Sequence, residues 1–76
     1  MLKLERITMN PAVMGGKPCI RGLRVTVGTI VGLLAAGKTR EDILNLYPYL
    51  DAADIEQALT YAMWRVEEQE VAVAST

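Results

Sequence analysis

From Leu2 to Met9 apolar and polar residues come close to alternating, a period that fits a strand, and Asn10-Pro11 marks a turn after it. Gly15-Gly16 and Pro18 allow the chain to double back. Cys19 to Val27 then alternates apolar with basic positions around Gly22, where a bulge or bend is expected. Residues 1–25 therefore predict a β-hairpin or arm with Arg21 and Arg24 both exposed. At Thr26 the period changes. Val27, Ile30, Val31 and Leu34 recur at helical spacing and Gly37 supplies a left-handed stop, so a first helix is expected over about 26–36. Thr39 is a good N-cap, and Ile43, Leu44, Leu46 and Tyr47 give the apolar face of a short second helix, about 40–46, before Pro48. Asp51 caps a third helix from about Ala52 to Glu68, with Ile55, Leu59, Ala62 and Val66 as its core stripe. Gln57, Tyr61, Trp64 and Glu68 fall on the opposite side, an outward aromatic face that predicts a partner or dimer interface. The rival reading is that the arm folds across and covers both rings. Val71 to Thr76 reads as a flexible tail or partner-binding end.

The expected fold is mainly α: a three-helix, homeodomain-like helix-turn-helix with an N-terminal β-hairpin or arm. Its 76 residues predict a single domain, with the arm over 1–25, the bundle over 26–70 and the tail over 71–76. A chain this short has a thin core, so a homodimer or a complex is expected. The composition, 51% apolar and 22% charged, is that of a globular protein. No histidine is present, which excludes imidazole catalysis and His-ligated zinc. Cys19 is the only cysteine and has no disulfide partner, which fits a reducing compartment. The apolar stretch Val25 to Ala36 is broken by Thr26, Gly28, Thr29 and Gly32 and falls short of the roughly 20 residues that cross a bilayer. The N-terminus alternates charged and apolar residues and lacks the apolar run of a signal peptide, so the cytoplasm is the expected compartment.

Charge divides the chain. Residues 1–40 carry seven Lys and Arg against one acid, while residues 41–76 carry eight acids against Arg65 alone. Either the first half faces an acidic partner, or the two halves pair with each other.

Chemistry-bearing patterns are sparse. No Gly-Lys-Ser/Thr or Gly-x-Gly-x-x-Gly occurs, so no nucleotide site is indicated. Asp51 with Asp54, and Glu67, Glu68 and Glu70, read as a helix cap and a solvated helix end rather than as metal ligands. Gly28-x-x-x-Gly32 permits close helix approach. No cofactor, metal or small-molecule substrate is expected, and the chain is read as a non-enzyme.

One run is specific: Asn10-Pro11, Gly15-Gly16-Lys17-Pro18-Cys19-Ile20-Arg21-Gly22-Leu23-Arg24-Val25-Thr26-Val27, then Gly37-Lys38-Thr39-Arg40-Glu41-Asp42-Ile43-Leu44-Asn45-Leu46-Tyr47-Pro48-Tyr49-Leu50 and Ile55 to Ala62. It resembles the family called domain of unknown function 433 (DUF433) over roughly Ile7 to Trp64. The resemblance implies a homeodomain-like helix-turn-helix and a VapB-type antitoxin that accompanies a PIN-like ribonuclease toxin. Two uses of the basic residues stay open. Helix three begins with Asp51, Asp54 and Glu56, which a phosphate backbone repels, so DNA contact would come from Lys17, Arg21 and Arg24 with Lys38 and Arg40. The same arm could instead insert Arg21 or Arg24 among the carboxylates of a PIN-like ribonuclease, since a guanidinium pairs with a carboxylate bidentately. The plain alternative is that these are solvated charges guarding an edge strand. A stand-alone DNA-binding regulator and a structural dimerisation module are the competing functions.

Overall fold

A computed structural model describes residues 3–68; Leu2 and the expected tail over 71–76 lie outside the described residues. The order of elements is β1 (Ile7–Thr8), a single 3-10 turn (Met14–Gly16), β2 (Cys19–Ile20), α1 (Val27–Ala35), α2 (Arg40–Leu46) and α3 (Ala52–Glu68). It is a small, mainly helical domain with a two-stranded sheet at its N-terminus, consistent with a helix-turn-helix arrangement.

β1 and β2 pair antiparallel, Ile7 opposite Ile20 and Thr8 opposite Cys19. The first strand is much shorter than the alternation over Leu2 to Met9 predicts. The Ile7 amide donates back to the Leu4 carbonyl at 3.1 Å, and the turn this closes takes Glu5 and Arg6 out of extended geometry. After β2 the chain reverses at once. The Leu23 amide reaches the Ile20 carbonyl at 2.7 Å, and the two residues between them, Arg21 and Gly22, have φ of 46° and 72°. Positive φ at both central positions is the mark of a type I′ turn, natural for glycine and uncommon for arginine. The returning chain bridges Cys19 through Thr26 before α1 begins.

The helix ends follow local chemistry. Thr26 caps α1 by accepting the Thr29 amide on its side chain. At the far end Gly37, with φ of 92°, lets its own amide bond Leu34 and the Lys38 amide bond Leu33, the two hydrogen bonds of a Schellman cap. Thr39 and Asp42 form a reciprocal capping box for α2. Asp51 and Asp54 do the same at α3, each carboxylate accepting the other's amide at 3.0 Å.

Ile20, Val25, Val27, Ile30, Ile43, Leu50, Ile55 and Ala58 form the buried core where α1, α2 and α3 meet the arm. Two expectations for α3 change. Val66 is 69% exposed instead of buried. The seventeen residues of α3 rise about 25 Å against about 13 Å for the nine of α1, so the last turns outrun the surface on which the stripe packs. The buried arc is also wider on the other side, because the arm lies along α3 and covers Gln57 and Tyr61 in part.

Candidate partner-binding surface

The densest polar arrangement sits where the arm crosses the start of α3. Asp54, in the first turn of that helix, is 0% exposed and receives two arginines from the arm. Arg6 Nη1 donates to Asp54 Oδ1 at 2.9 Å and to both oxygens of Asp51 at 2.9 and 3.0 Å. Arg21 grips Asp54 bidentately, Nε to Oδ1 and Nη2 to Oδ2, both at 3.0 Å, and also donates to the Tyr49 carbonyl at 2.8 Å. Burial by itself pushes the Asp54 carboxyl up. Hydrogen bonds from Arg21, the Asp51 amide and Arg6 outweigh it and hold the pKa at about 2. The Asp51 carboxyl is also lowered, first by the Asp54 amide and then by Arg6. A backbone bond completes the joint: the Arg6 amide donates to Gln57 Oε1 at 2.9 Å.

This clamp redistributes the residues that the sequence singles out. Arg21 is exposed in part, as expected, but its guanidinium is committed within the molecule, with 40% of its side chain accessible. Arg40 pairs with Glu56 at 3.0 Å on the surface. The three acids at the start of α3, expected to repel a phosphate backbone, are each matched by an arginine from the first half of the chain. Lys17, Arg24 and Lys38 form no ion pair among the described residues. Lys17 lines a shallow cleft of about 460 Å³ with Pro18, Thr26, Gly28 and Thr29 at the start of α1. Two amides there are already bound, Thr29 by the Thr26 hydroxyl and Val27 by the Pro18 carbonyl. Arg24 stands between half-buried Leu23 and buried Val25 with its own side chain exposed. The backbone on either side is thus packed, while the guanidinium forms no ion pair among the described residues.

The outward face expected for Gln57, Tyr61, Trp64 and Glu68 is divided. Gln57 belongs to the arm joint. Tyr61 leans on the core, and its hydroxyl points at Met9 Sδ, 3.9 Å away. Trp64 is half-buried, edge-on to Tyr61 with ring centroids 5.8 Å apart, and the Arg65 guanidinium lies 5.7 Å from its ring centre. The arm therefore covers part of the Tyr61 side, whereas the rival reading has it cover both rings, and the side chain of Glu68 lies outside the described residues. The large apolar side chains that α3 exposes among the described residues are Met63 and Val66. Among the described residues, no three His, Cys, Asp or Glu side chains group to hold a metal ion, and no helix is long and apolar enough to cross a membrane.

The family called Protein of unknown function (DUF433) matches residues 7–62 of the chain. This protein belongs to the DUF433 family. A relative, the uncharacterized protein y4eO of Sinorhizobium fredii, is 41% identical over 58 residues, which are 76% of this chain and 26% of that protein. A DUF433 protein from Anabaena variabilis, known from its crystal structure, matches with a TM-score of 0.78 at 33% identity, covering 83% of this chain and 62% of the other. The chain thus spans about a quarter of one relative and under two thirds of the other. The DUF433 match includes Arg21, Arg24, Asp51 and Asp54, while Arg6 lies one residue before it and Trp64 two residues beyond it.

Arg6 is the member of the site that sequence reasoning missed. It sits 48 positions from Asp54, and no local spacing links them. The available signal is the division of charge between the two halves, which is compatible with pairing but names no partner.

Proposed function

We propose that this DUF433 protein is a non-catalytic binding protein of the cytoplasm, an antitoxin that neutralises a PIN-like ribonuclease by offering Arg24 to the carboxylates that hold the enzyme's metal ions. The observation that carries the reading is the contrast between two neighbours in the arm. Arg21 is locked onto Asp54, whereas Arg24 is exposed, without an ion pair among the described residues, and flanked on both sides by packed residues. With the backbone held this way, the ordering cost of a bidentate pair between this guanidinium and a partner carboxylate falls on the side chain alone. The start of α3 weighs against a recognition helix, since its first exposed positions are two alanines, Ala52 and Ala53, and Glu56, which is already paired with Arg40. The identification of the partner as a ribonuclease rests on the family resemblance.

The test is rescue from growth arrest caused by expressing the product of the neighbouring reading frame. The wild-type chain restores growth and Arg24→Glu does not, although both are expected to unfold at the same temperature, since Arg24 makes no ion pair among the described residues. Equal rescue by Arg24→Glu would remove Arg24 from the account.

A second reading, a DNA-binding regulator without a toxin, is favoured by the cations that form no ion pair among the described residues, Lys3, Lys17, Arg24 and Lys38. It predicts binding to the chain's own promoter that weakens steeply as salt is raised and weakens further in Lys17→Glu with Lys38→Glu. Promoter binding that ignores both salt and the double substitution contradicts this reading.

A further inference from the structure

We draw no further inference here: the strongest candidate, the exposed face of α1 formed by Gly28, Gly32 and Ala35 beside the cleft at Lys17, is a stripe of small residues with nothing in the structure to show what covers it.

Discussion

Asp54 shows how a single side chain decides which charges remain available to a partner. Buried and gripped by Arg6 and Arg21, it belongs to the class of ion pairs whose disruption leaves an uncompensated charge, and such losses cost about 3 to 5 kcal/mol. Arg40 and Glu56, each 55% exposed, belong to the opposite class, worth at most about 1 kcal/mol. In urea titrations Asp54→Asn is expected to lose several kcal/mol and Arg40→Ala less than about 1 kcal/mol; comparable losses would contradict the ranking. The same carboxylate sets an acid limit. Its pKa is lowered on folding to about 2 from 3.8, so the unfolded chain takes up the proton first as pH falls. Its contribution is complete well above pH 4 and is lost between about 4 and about 2, with Asp51 and Asp42, both lowered, acting in the same direction. Stability followed by circular dichroism from pH 7 to 2 is expected to fall mainly in that window. A loss completed above pH 5 would assign the acid sensitivity to another group.

At the scale of elements, the caps explain why the helices were legible in the sequence and the strands were not. Thr26, Thr39 and Asp51 act on amides three residues away, so the chemistry that starts each helix lies inside a short window of sequence. The strand bounds depend instead on a turn at Glu5 and Arg6 and on pairing across ten intervening residues, which alternation alone does not specify. The rotation of α3 was illegible for a related reason. Tyr61 and Gln57 are drawn toward the core side by the arm, an element remote in sequence, whereas the exposure of Val66 follows from the unequal lengths of α3 and α1. Two substitutions test the helices themselves. A Cβ at Gly32 would meet no atom within 4 Å, and glycine inside a helix is about 1 kcal/mol worse than alanine, so Gly32→Ala is expected to raise the thermal midpoint. A lowered midpoint would contradict the open space on that face. Thr39→Ala removes one half of the α2 capping box and is expected to cost about 1 kcal/mol, read in the same melts.

For the whole molecule, the division of charge in the sequence is partly closed by folding. Arg6, Arg21 and Arg40 from the first half meet Asp51, Asp54 and Glu56 from the second, which neutralises the start of α3 and holds the arm along it. Lys3, Lys17, Arg24 and Lys38 stay without an ion pair among the described residues, and α3 carries Met63 and Val66 beyond the core. Exposed cations beside anchored backbone, with apolar side chains at a second edge, suit a protein whose work is to bind. The most direct measurement is co-purification of the tagged chain with the product of its neighbouring reading frame, followed by mass determination. The account predicts a stable complex of the two proteins that is lost in Arg24→Glu while that variant stays folded. Recovery of the wild-type chain without the neighbouring product would contradict it.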